Sequence, residues 1–173
     1  MAHKYIPGMK PGVETRPAAV PVADTGALLA AYLAARYEVH AAGGLLRLRI
    51  GVPAPPALAE ALPARGWTLV TAWNPGSRPC DEAANRRADA ALQADLDALG
   101  LRRLAASNSD GSGQWHEPGW LVADLATDDA DALARRYGQA GILHWSAGTA
   151  VRLRMYLPRP PGADSPWVDW VRP

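Results

Sequence analysis

Phenylalanine is absent from the 173 residues, and cysteine occurs once, as Cys80. A single thiol cannot form an internal disulfide framework, and such usage suits a reducing cytoplasm. No apolar run nears the roughly 18 residues that span a membrane. Residues 1–22 lack the apolar heart, about 7–15 residues long, of a secretory signal. An excess of one charge is missing too: 18 Lys and Arg against 17 Asp and Glu leave a formal net charge of +1. That balance speaks against a dedicated nucleic-acid or membrane-surface protein. His3, His40, His116 and His144 are scattered and no cysteine pair exists. His116-Glu117 lacks the second His of a zinc helix, because Trp120 and Leu121 stand where it would fall. No metal and no cofactor is expected.

The length fits one domain with tails. Hydrophobic residues at 49% and charged residues at 20% are ordinary globular values. Seven Trp replace the missing Phe as the large aromatics of the core, and some of them can line a pocket. Pro7, Pro11, Pro17 and Pro21 mark residues 1–22 as an extended or disordered arm. Residues 23–156 form the domain. Residues 157–173 are a Pro- and Trp-rich tail in which Pro158, Pro160, Pro161, Pro166 and Pro173 break any regular element. Trp167 and Trp170 either dock that tail on the domain or meet a partner, a homodimer being one form of that contact.

Helix and strand signals alternate along the body. Asp24 caps a helix with the stripe Leu28, Leu29, Tyr32, Leu33. Leu46, Leu48 and Ile50 alternate with Arg47 and Arg49, a strand with one wet face. Pro55-Pro56 opens a short helix to Leu62. Trp67 to Trp73 reads as a central strand buried on both faces. The longest helix runs from Asp81 to Leu99 and stops at Gly100. Leu101 to Ala106 is a strand, Ser107 to Gly113 a flexible polar loop, and Trp120 to Asp124 a second buried strand. Thr127 caps a helix that buries Ala130, Leu133, Ala134 and Tyr137, and 142–145 with 151–155 close a hairpin. The class this predicts is α+β, a single-domain sandwich with a mixed central sheet, helices mainly on one face and a C-terminal β-hairpin. A purely parallel doubly wound sheet is the alternative.

The strand ending in Trp73-Asn74-Pro75-Gly76 is followed about ten residues later by Asn85-Arg86-Arg87. Asn85, Ala88, Leu92, Leu96 and Leu99 share one helix face, so Asn85 points inward in the first turn. A buried amide needs a partner. Either Asn74 and Asn85 pin the loop to the helix, or they serve a ligand. Free N–H groups at the helix start and the guanidinium of Arg86 would favour a polar, anionic or nucleotide-like ligand. Glu117 is the one plausible acid or base, a partner for Arg86, with His116 able to share the work. Gln139 offers a further amide, and Trp73 and Trp115 would line the cleft. Cys80, at the same helix start, belongs to no recognisable nucleophile motif.

Tyr32, Thr71-Ala72-Trp73-Asn74-Pro75, Asn85-Arg86 with Leu92, Trp115-His116-Glu117-Pro118 and Tyr137-Gly138-Gln139 occur in the order seen in a known family. Over roughly residues 28–145 the chain resembles the bacterial family catalogued as domain of unknown function 3293. The family pattern reads Gly-Gln-Asn-Ala, whereas Ala140 and Gly141 follow Gln139 here. The resemblance implies a shared fold and a shared pocket, and no activity. Three functions stay open: a small-molecule-binding domain, enzymatic or not; a non-catalytic interaction or oligomerisation module; and RNA binding through Arg47, Arg49, Arg152 and Arg154.

Overall fold

Strict alternation of inward and outward side chains sets the two faces of one sheet. The computed structural model describes residues 24–113 and 115–172. In chain order these form α1 (Thr25–Ala34), β1 (Arg36–Ala41), β2 (Gly44–Leu48), α2 (Pro56–Ala61), β3 (Gly66–Val70), α3 (Glu82–Ala98), β4 (Arg103–Ser109), β5 (His116–Ala123), α4 (Thr127–Arg136), β6 (Gly141–Ser146), β7 (Leu153–Met155) and β8 (Val168–Trp170). The strands lie in the order β2-β1-β4-β5-β3-β6-β7-β8. Every pair is antiparallel except β7 with β8. The fold is therefore the expected α+β domain on a mixed sheet, and not a parallel doubly wound one. Ile50, just past β2, bridges Val151 ahead of β7, and Pro53 bridges Ala150. These bridges join distant parts of the sheet, which curls to allow them.

One face buries Tyr37, Val39, Trp67, Leu69, Leu121, Leu143, Trp145 and Leu153 with Leu29 of α1 and Leu58 of α2. Trp67 and Trp145 sit 5.8 Å apart with a 32° tilt; such a pair contributes about 0.5–1.5 kcal/mol beyond its buried area. The other face turns Val70, Val122 and Ile142 onto Leu92 and Leu96 of α3 and Ala130, Leu133 and Ala134 of α4. The long α3 and the amphipathic α4 thus share a face, and α1 and α2 close the other.

Several local expectations are corrected. Leu33 and Leu99 are exposed, because α1 offers only a narrow buried stripe and Leu99 is the C-cap of α3. Ala126, not Thr127, is the N-cap of α4, and the Thr127 hydroxyl turns to His144 instead. Ser107, Asn108 and Ser109 continue β4 rather than opening a loop, and His116 and Glu117 already belong to β5. The proline-rich tail does hold a regular element: Val168–Trp170 has no proline and adds to β7 as β8. Trp167 packs beside Gly51, and Trp170 packs on the core. The arm expected over 1–22 lies outside the described residues.

Two tests follow from this packing. A Cβ on Gly119 of β5 would stand 2.7 Å from the Val70 carbonyl oxygen and 3.3 Å from Thr71 Cβ. Gly119→Ala should therefore destabilise the fold by about 1–3 kcal/mol in urea unfolding, as overpacking does. His144 lies between the hydroxyls of Thr68, 2.8 Å from Nδ1, and Thr127, 3.1 Å from Nε2. Burial, aided by the charge of Arg154 and opposed by Asp131 and Asp169, holds its imidazole below the usual 6.5. The unfolded chain then takes up the proton first, so this contribution is full above about pH 6.5 and fades as pH falls towards the folded value. His144→Gln should flatten the slope of stability against pH in that window, and an unchanged slope would rule this origin out.

Candidate functional site

The site begins where β3 ends. Thr71 donates its hydroxyl to the Pro118 carbonyl at 2.7 Å and accepts from the Trp73 N–H at 3.0 Å, which turns the chain out of the sheet. Asn74 then adopts the left-handed conformation, φ 48° and ψ 62°, a region that Asn tolerates better than most side chains. The α3 residue Asn85, 3% exposed, clamps it. The Asn74 N–H donates to Asn85 Oδ1 at 2.9 Å, and Asn85 Nδ2 donates to Asn74 Oδ1, also at 2.9 Å. Asn74 Oδ1 further accepts the Cys80 N–H at 3.0 Å. With its oxygen facing two donors, the Asn74 amide must aim Nδ2 elsewhere, and it donates to Glu117 Oε1 at 2.8 Å. Gly76 N–H to Gly138 O at 2.7 Å, and Gln139 Nε2 to Trp73 O at 3.1 Å and to Tyr137 O at 3.3 Å, tie the loop to the end of α4.

Glu117 is the focus of this network. It is 6% exposed. Oε1 accepts from Asn74 and from Trp115 Nε1, each at 2.8 Å, and Oε2 accepts from Asn108 Nδ2 at 3.0 Å. It takes part in none of the ion pairs among the described residues. Burying a carboxylate costs several kcal/mol; hydrogen bonds to a charged group contribute roughly 1.5–3 kcal/mol each and offset part of that. Asn108 Oδ1 is buried without a partner.

A cleft of about 280 Å³ opens over this carboxylate. Leu28 and Ala31 of α1 with Ala35, its C-cap, form its apolar wall, and Tyr32, Ser77, Asn108, Asp110, Trp115 and Glu117 its polar side. Deeper, a pocket of about 20 Å³ lies among Tyr32, Tyr37, Thr71, Asn108, Glu117 and Gln139, room for about one water. Burial, with the charge of Glu117, pushes the Tyr32 phenol up to about 12, although Ser77 and the Gly141 backbone pull the other way. Burial likewise raises Tyr37, whose hydroxyl donates to the Tyr32 carbonyl at 2.9 Å. Both phenols are neutral hydrogen-bonding groups at neutral pH.

Asn74, Asn85, Glu117, Gln139 and Trp115 do converge, yet in different ranks. Glu117 and Trp115 line the cleft; Asn74 and Asn85 stand behind and hold Glu117; Gln139 reaches only the inner pocket. Trp73 contributes its carbonyl to Gln139, and its indole does not line the cleft. Arg86 is outside the site: it pairs with Glu82 one turn away at 2.5 Å and is exposed, so the expected Arg86–Glu117 pair does not form. The anion site expected at the start of α3 is filled by the chain itself. Asp81 accepts the Ala84 N–H at 2.8 Å and brings its own negative charge. No described Lys or Arg lines the cleft. His116 is exposed, on the opposite side of β5 from Glu117 as strand alternation requires. Cys80 is exposed and joins the network only through its backbone. Asn108, Ser77 and Tyr37 are site residues that pattern alone did not single out. For Asn108 the signal was present, since Leu104, Ala106 and Asn108 share the alternation of one strand.

Asn85→Ala should leave the Asn74 N–H without its partner and Asn74 Oδ1 with the Cys80 N–H alone, at a cost of about 1–3 kcal/mol for the buried group stranded. Urea unfolding checks the loss, and nitrogen-resolved spectra of the Trp115 indole N–H should report its release from Glu117. An undisturbed Trp115 signal would mean that the clamp does not position the carboxylate.

Residues 70–142 match a family model described as Protein of unknown function (DUF3293). No match is found among curated proteins or solved structures. The matched stretch holds Asn74, Asn85, Asn108, Glu117 and Gln139, and stops short of α1, which supplies the apolar wall. Over the stretch that carries the amide clamp and its carboxylate, the chain is similar to the DUF3293 family.

Proposed function

We propose that the chain is a small-molecule-binding domain whose ligand occupies the cleft over Glu117. The observation that carries this reading is the buried carboxylate itself, held by three neutral donors and open to a cavity of about 280 Å³. Its size is close to the lower end of ordinary ligand pockets, roughly 300–1,000 Å³, and its make-up is theirs: an apolar wall facing a few convergent polar groups. In this reading Asn74, Asn85 and Gln139 position, and Glu117, Asn108, Tyr32 and Trp115 contact. With Oε1 engaged twice and Oε2 once, Glu117 is better arranged to accept a donor than to shuttle a proton.

The interaction-module alternative calls for a satisfied amide network without an adjoining cavity, and a cavity adjoins it. The RNA alternative calls for free arginines, whereas Arg47 pairs with Glu38, Arg152 with Asp169 and Arg154 with Asp131.

A thermal-shift screen of the full chain against nucleosides, phosphate esters, carboxylic acids and amines tests the proposal. At least one class should raise the melting temperature, because a ligand at 100 times its Kd stabilises by about 2.7 kcal/mol. Ala31→Trp, which fills the cleft from the exposed side of α1, should abolish the rise. No stabilising compound, or stabilisation indifferent to that substitution, sinks the idea.

A further inference from the structure

We infer that the cleft selects an organic cation, a primary ammonium or amidinium group on an apolar body, which sets its charge against Glu117 and Asn108. This rests on the cleft being the ligand site and specifies what enters it.

The first support is how the chain treats its other inward carboxylates. Asp131, 8% exposed, is held by Arg154 through two bonds of 2.9 and 2.8 Å. Asp169 is held by Arg152 in the same forked way at 2.9 and 2.7 Å. Glu117 is buried as deeply as Asp131 and has no such cation among the described residues. A buried charge normally has a counter-charge, and here the carboxylate-bearing residue lines the cleft.

The second support is the count of acceptors. Oε1 already takes two donors, but Oε2 takes one and retains a lone pair. The Asn108 amide is fixed by chemistry, because a carboxylate can only accept, so Nδ2 must face Glu117. Its Oδ1 is thereby left as a buried acceptor with no partner. Two acceptors with unused capacity, on hydrogen-bonded residues that both line the cleft, suit a group that has several N–H donors and nothing to accept with. An anion would find two negative edges, for Asp110 also lines the cleft.

The third support is the opposite wall. Leu28, Ala31 and Ala35 offer hydrocarbon, and Trp115 is 37% exposed while its indole N–H is engaged by Glu117. A ring of that kind holds apolar bodies and attracts cations to its face.

Calorimetric titration of the full chain with matched probes decides the matter: tryptamine, tryptophol and indole-3-acetate, and benzamidine, benzamide and benzoate. At least one cation should bind 30-fold or about that much more tightly than its neutral and acidic partners, as expected for a desolvated charge pair. Glu117→Gln should erase that preference, and Ala31→Trp should erase binding of every probe. The wild-type series stands even if Glu117→Gln fails to fold. Neutral or acidic probes that bind as well as the cations, and are lost in Ala31→Trp, overturn the charge inference and leave the cleft as a ligand site. Binding that survives Ala31→Trp, or no binding by any of the six, overturns both.

Discussion

Asn74 is held in a backbone conformation that a side chain adopts only under constraint, and the rest of the cleft depends on its staying there. With φ at 48° the loop reverses four residues past the end of β3. That reversal brings the Asn74 amide over β5 and Ser77 under α1. Such strain is of order 1–3 kcal/mol, and the reciprocal pair with Asn85 outweighs it by satisfying the N–H and the side chain together. Pro75 locks the next residue and Gly76 takes the second positive φ, 65°. The signature Thr-Ala-Trp-Asn-Pro-Gly is therefore a mechanical part: Ala72 packs in the core, and the other residues turn, stiffen or tie.

The second constraint is electrostatic. The two faces of the sheet handle carboxylates differently. On the face shared with α4, Asp131 meets Arg154 and Tyr156, and although burial alone would raise its pKa, those partners hold it below the ordinary range. On the other face, Glu117 sits among neutral amides and an indole N–H. Forked Arg pairs make a finished structure with nothing left to bind. A carboxylate steadied by neutral donors keeps its field, and the field emerges where the cavity is.

Much of this was legible in the sequence because it follows from periodicity. The phase of Asn85 with Leu92 and Leu96 marked an inward amide at the start of α3, and a buried amide requires a partner. The unbroken apolar run from Trp67 marked the central strand. What escaped depends on distant packing. Arg86 looked available because it adjoins Asn85, yet neighbours on a helix point about 100° apart, and a Glu one turn back claims it. Ser107-Asn108-Ser109 looked like a loop because polar residues with glycines beyond them favour turns; pairing with β1 and β5 on both sides overrode that preference. β1 was missed although Tyr37 and Val39 alternate with Arg36, Glu38 and His40, because the helical stripe before it masked the change of period. That the C-terminal strand adds to β7 is invisible locally, since three residues carry no period of their own.

The curl of the sheet has a consequence for how the molecule behaves in a crowd. An open eight-stranded sheet exposes two rows of unpaired backbone groups, and such rows recruit strands from other chains. Here the chain beyond β2 runs on through Ile50, Gly51 and Pro53 into contact with Val151 and Ala150, so the backbone that continues this margin is paired within the molecule. Pro53 has no N–H to offer, Arg47 and Arg49 add charge along the same margin, and the opposite margin, β8, is three residues long. Bridges beyond one edge, a proline, charge and a short final strand are each features that blunt a sheet margin against edge-to-edge growth.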